Sequence, residues 1–124
     1  MIRGVRGAIT INQNSEEEII TATEELMERL IEENQIQPEQ VGSIFISTTG
    51  DINAAFPAKA LRSFEGWTYV PVMCMQEIPV PNSLKMCIRV MMHVNTTQAQ
   101  EEVVHVYLKG AKVLRPDLGS SLAK

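Results

Sequence analysis

The sequence predicts an α+β domain, a mixed β-sheet with two main helices on one of its faces. Three observations carry this. Residues 86–94 alternate apolar and mixed side chains with a strict period of two. Residues 16–34 instead repeat apolar positions with helical spacing. Around them, short apolar runs near residues 2–11, 41–48, 67–72 and 103–108 are separated by glycine, proline or polar breaks. Strands, helices and then further strands in that order give a mixed sheet rather than a doubly wound one.

The elements follow in order. Residues 2–11 are predicted as a first strand, with Arg6 set among small and branched residues. Ser15 offers an N-cap, and Glu18 three residues later completes a capping box. The helix from Glu16 to about Asn34 buries Ile19, Ala22, Leu26 and Leu30, with Ile20, Met27 and Ile31 widening the stripe. Its other face is rich in glutamate. Pro38 closes that segment, and residues 41–48 read as a buried strand. Pro57 suits the first position of a short helix over 58–64, since its missing N–H costs nothing there. Gly66 ends it, and 67–72 is predicted as a third strand.

Pro79 and Pro81 make 73–83 a loop. In the alternating strand, Met86, Ile88, Val90, Met92 and Val94 share one face; Cys87, Arg89, Met91 and His93 share the other. Residues 95–100 form a polar break, and 103–108 and 112–114 are short strands around Gly110. One domain over 1–118 and a mobile tail over 119–124 are expected. Two helices cover one side of such a sheet only, so the opposite face implies oligomerisation.

Composition bounds the function. The 124 residues suffice for one core but not two. No apolar run approaches the roughly 20 residues of a membrane helix, and no secretory leader is visible. Two cysteines without a CxxC pair suit free thiols in a reducing cytoplasm. Nine of the fifteen acidic residues lie between Glu16 and Glu39; outside that segment ten Lys and Arg face six Asp and Glu, a balance of +4. The net charge of −4 therefore hides a mildly basic body. With no basic stripe, a small anion fits better than nucleic acid.

The chemistry-bearing residues agree. Arg6, Arg89 and Arg115 lie in or at the ends of predicted strands, and Lys59 and Arg62 stand three apart on the short helix. Each cation alone is explained by snorkelling or a surface partner. Together, with few acids left outside the long helix, they suit a ligand with two carboxylates, which the guanidinium fork matches. Glu77 is a candidate base or hydroxyl acceptor, or simply a solvated loop residue. Cys74 is better read as a core thiol than a nucleophile. His93 and His105 have no metal-ligand spacing, and no P-loop, GxGxxG or GxSxG motif occurs. No metal or cofactor is expected.

Seven blocks in order carry a resemblance: RGVRGA (3–8), FPAKA (56–60), GWTYVPV (66–72), CMQE (74–77), CIRVMM (87–92), HVYL (105–108) and LRPDL (114–118). Together they resemble the monofunctional chorismate mutases of the Bacillus type. The resemblance implies a homotrimer with a barrel-like centre and active sites between subunits, turning chorismate into prephenate on the way to phenylalanine and tyrosine. It further implies that Arg89 faces the substrate's ether oxygen, and that Arg6 and Tyr107 hold a carboxylate. Glu77 accepts the ring hydroxyl, with Cys74 beside it. Phe56, Ala58, Lys59, Arg62, Val72 and Met73 would form a wall from the neighbouring chain; Leu114 and Arg115 would close over the site. Met73 departs from the threonine of familiar members. The alternatives are an imine/enamine deaminase of similar architecture and a non-catalytic trimeric metabolite sensor.

Overall fold

In the computed structural model, which describes residues 1–114, the first strand β1 spans Ile2–Thr10 and helix α1 spans Glu16–Asn34. Ser15 caps α1 as expected, its hydroxyl accepting from the Glu18 amide at 3.3 Å. The second half of the expected box differs. The Glu18 carboxylate reaches past Ser15 to accept from the Asn12 and Gln13 amides at 2.5 and 3.0 Å, so it ties down the whole β1–α1 turn. At the other end α1 stops before Pro38. Gln35 turns left-handed (φ 52°), and the Ile36 amide reaches back to the Ile31 carbonyl at 3.0 Å.

Three further strands, β2 (Val41–Thr48), β3 (Val72–Gln76) and β4 (Cys87–Asn95), and a short β5 (Val106–Leu108) complete a five-stranded sheet of order β3-β2-β4-β1-β5. The centre is antiparallel, whereas β3 pairs parallel to β2 and β5 parallel to β1. The sheet is mixed, as predicted. The second helix is a seven-residue 3₁₀ segment, Pro57–Ser63, rather than an α-helix.

The sequence reading misplaces three pieces. The third strand is 72–76 and not 67–72. Trp67 is buried, but its carbonyl accepts from the Val70 amide, which makes 67–70 a turn; ladder pairing starts only past Pro71. Residues 103–105 are not strand, because the Asn34 side-chain amide takes both backbone groups of Val104 at 2.8 Å. Residues 112–114 belong to a 3₁₀ helix, Lys109–Leu114, which leaves the sheet at Lys109 (φ 54°). Arg115 and the tail lie outside the described residues.

The core sits between one sheet face and α1. Val5, Ile9, Ile44, Ile46, Ile88, Val90, Met92 and Val106 meet Ile19, Leu26, Met27 and Leu30, all nearly inaccessible. Helix and sheet approach closely at Gly7, where an added Cβ would lie 2.9 Å from Leu26 Cδ1, 3.0 Å from the Val106 carbonyl oxygen and 3.1 Å from Leu30 Cδ1. Gly7→Ala should therefore cost about 1–3 kcal/mol by overpacking, read as a lowered chemical-denaturation midpoint with an unchanged m-value. An unaltered midpoint would show that α1 yields freely.

The opposite face carries Arg6, Ala8, Phe45, Met73, Met75, Arg89, Met91, His93 and Tyr107, and among the described residues only the 3₁₀ helix Lys109–Leu114 packs against one end of it. At one end a small second cluster forms from Ala8, Cys87, Tyr107 and Ala111, with Leu84 and Leu114 packed against it. No helix among the described residues is long and apolar enough to cross a membrane.

Candidate active site

Register places the open-face residues. Met75 pairs with Ser47, Ser47 with Arg89, Arg89 with Ala8, and Ala8 with Tyr107, so one transverse row crosses all five strands. Ala8 is the smallest member and separates Arg89 from Tyr107 by two strand spacings, about 10 Å. This end of the face, the slot, has a guanidinium on one side and a phenol on the other, with Ala8, Cys87 and Ala111 buried beside them. Arg6 lies two residues along β1 from Ala8 on the same face, about 7 Å away. Its backbone amide donates to His105 Nδ1 at 3.0 Å. Its side chain makes no ion pair among the described residues.

Two buried polar atoms in this slot have no hydrogen-bond partner among the described residues: Arg89 Nε and the Tyr107 hydroxyl. Tyr107 is only 1% exposed. An unsatisfied buried donor costs about 1–3 kcal/mol, so two on one face form a place prepared for an acceptor. Arg89 does have one acid neighbour, its Nη1 lying 3.2 Å from Glu77 Oε2. The sequence reading names both residues without pairing them. Glu77 is positioned by the end of β3, its amide donating to the Thr48 carbonyl at 2.8 Å. The pair fixes the guanidinium through Nη1 and leaves Nε unused.

The other predicted residues gather elsewhere. An open cleft of about 1190 Å³ wraps the free edge of β3. Phe56, Ala58, Lys59 and Arg62 line it from one side, and Val72, Met73 and Cys74 from β3. Cys74 lies in β3, not in a loop, and packs toward the main core. Glu16, read from sequence only as a first-turn helix acid, also lines this cleft and meets Lys59 Nζ at 2.8 Å. So the acidic helix is not all solvent face. The hydrogen bond and charge of Lys59 hold the Glu16 carboxyl below its ordinary range. The tether is intact above that range and lost as pH falls through the lowered value.

Slot and cleft do not coincide within one chain. The cleft lies at the β3 edge, whereas the slot runs from β4 to the far edge β5, two to four spacings or about 10–19 Å away. Arg6, Arg89, Glu77 and Tyr107 come together; Phe56, Ala58, Lys59, Arg62, Val72, Met73 and Cys74 form a second group. Leu114 packs at the Tyr107 end of the slot.

Cys87 lies on the same face as Arg89, two residues along β4, and clusters with Ala8 and Tyr107. Burial pushes its thiol up, against a smaller opposing effect of the Arg89 charge. It should resist alkylation at pH 8 in the folded protein and react on unfolding, as read by mass spectrometry. Rapid labelling of native Cys87 would contradict the packing.

A mixed sheet with helices on one face and arginine, phenol and carboxylate on the other defines the class, an α+β protein with an open polar sheet face. Comparison with known proteins narrows this. The profile of the family "Chorismate mutase type I" matches residues 2–118. Chorismate mutase AroH of Bacillus subtilis is 54% identical over 118 residues, 95% of this chain and 93% of that protein. Chorismate mutase AroH of Thermus thermophilus is 44% identical over 122 residues, 98% and 99% of the two chains. The solved chorismate mutase from Clostridium thermocellum superposes with a TM-score of 0.86 at 47% identity, covering 89% of this chain and 97% of that one. The chain belongs to the type I chorismate mutase family, the monofunctional Bacillus kind.

Proposed function

We propose that this protein is an isomerase that converts chorismate to prephenate, and that it works as a homotrimer with each active site shared by two subunits. One observation carries the proposal beyond family membership. Two orphaned buried donors, Arg89 Nε and the Tyr107 hydroxyl, face one slot whose floor is Ala8. The separation of slot and cleft supports a shared site, with the slot of one subunit meeting the cleft of its neighbour. The single domain of 1–118 is the unit that assembles.

The reaction is an intramolecular [3,3] rearrangement. One C–O bond breaks as one C–C bond forms, and no proton or external electron pair is needed. A protein can lower this barrier in two ways. Arg6 and Tyr107 hold the enolpyruvyl carboxylate so that the arm lies over the ring. Arg89 Nε donates to the ether oxygen, where negative charge grows as the bond breaks. Glu77 keeps Arg89 in place and accepts from the ring hydroxyl. The wall of Phe56, Ala58, Lys59, Arg62, Val72, Met73 and Cys74 from the neighbouring subunit closes the far side, and Leu114 packs at the Tyr107 end.

Magnitudes divide the labour. A 10⁶-fold acceleration requires about 8 kcal/mol. One aimed donor supplies roughly 3–4 kcal/mol. Conformational restraint must supply most of the remainder. Both cysteines are free thiols, which supports a reducing compartment such as the cytoplasm.

The test follows the loss of chorismate absorbance with purified protein and chelator present. Steady turnover to prephenate is expected. Binding without turnover would replace the enzyme by a metabolite sensor.

A further inference from the structure

We propose that Asn14, just ahead of α1, is a positioning residue that holds the leading edge of the cleft wall for substrate; this rests on the function proposed above. Between buried Ile52 and buried Pro57, the chain runs through exposed Asn53, Ala54 and Phe56 without regular structure. A free four-residue span sweeps many conformations, and ordering it on binding would weaken affinity. Asn14 removes that freedom. Its side-chain oxygen accepts from the Asn53 and Ala54 amides, both at 3.0 Å, and its side-chain nitrogen donates to Asn53 Oδ1 at 2.7 Å. One side chain thus satisfies two consecutive backbone donors ahead of the exposed ring of Phe56.

The rest of the wall has its own ties to α1. Glu16 holds Lys59 at 2.8 Å, and Ser63 donates to Glu24 at 2.8 Å, while Ala60 and Leu61 are buried beneath. Only the leading edge depends on Asn14. Asn14 itself lines neither the cleft nor the slot, and the slot carries the charge stabilisation, so loosening the wall falls on binding and not on the chemical step.

The experiment compares Asn14→Ala and Asn14→Asp with the unaltered protein. Asn14 is exposed, so neither change should unfold the chain. Losing the tether should raise KM by about tenfold, the range of one to two net hydrogen bonds, with kcat within about twofold. Aspartate keeps the one oxygen that accepts from both amides, and the Asn53 side-chain amide can turn to donate to the new carboxylate oxygen, so KM should return to within about threefold of the unaltered value. Hydrogen exchange at the Asn53 and Ala54 amides should quicken at least tenfold in Asn14→Ala and not in Asn14→Asp, with core amides of β4 unchanged. An unchanged KM or unchanged exchange in Asn14→Ala overturns the proposal, as does a fall in kcat alone or failure of aspartate to restore KM. If the unaltered protein does not turn over chorismate, the proposed reaction falls by itself and the exchange rates still decide the tether.

Discussion

Arg89→Gln should lower kcat by about 10³-fold while leaving the secondary structure and assembly unchanged, since it removes a donor aimed at charge that develops only in the transition state. Glutamine retains a neutral donor, so the variant asks specifically about the cation. The stability penalty should be small. The Arg89–Glu77 pair is about one-third exposed, and solvent screens most of its worth. The orphaned Nε disappears with the guanidinium, which offsets part of the loss. Circular dichroism and a sizing column check the fold; stopped or steady-state decay of chorismate checks the chemistry. Turnover within tenfold of the unaltered enzyme would remove electrostatic stabilisation by Arg89 from the mechanism.

Mixing two inactive variants should restore activity. Arg89→Gln spoils the slot, and a chain carrying both Lys59→Ala and Arg62→Ala spoils the cleft wall. If each site combines the slot of one subunit with the wall of the next, random reassembly of equal amounts leaves about one quarter of sites with both halves intact. Unfolding and refolding the two together should therefore raise activity from near background to about a quarter of the normal value. Refolding each separately should not. No recovery in mixed assemblies would confine the site to one chain and defeat the shared arrangement. The geometry favours recovery, because Tyr107 and Cys74 stand on opposite edges of the sheet.

Much of the sheet could be read from periodicity because its central strands bury one face more fully than the other. β4 is the clearest case: Ile88, Val90, Met92 and Val94 are buried, while Arg89, Met91 and His93 are half-exposed. α1 was readable to the residue from its cap and stripe. Failure came where side chains replace ladder partners. Asn34 takes over the backbone of Val104, and the buried Trp67 looks strand-like in composition but sits in a turn. Neither leaves a local signal. The open-face group was legible as cations in apolar strands, though the row linking Arg89, Ala8 and Tyr107 needs the register of three strands distant in sequence. Asn14 and Glu16 were missed for a related reason. Their partners lie some 40 residues away, and both residue types are ordinary at a helix start.

The position of β1 has a consequence for synthesis. β1 lies between β4 and β5, whose residues emerge more than 75 positions later. At ribosomal elongation rates that interval is on the order of ten seconds. Until then, the strand bearing Arg6 and Ala8 has no neighbour on either side, so the nascent chain waits with its central ladder open. Completion of the sheet is consequently a late event, and a chain truncated before Val106 should be retained by chaperones rather than fold.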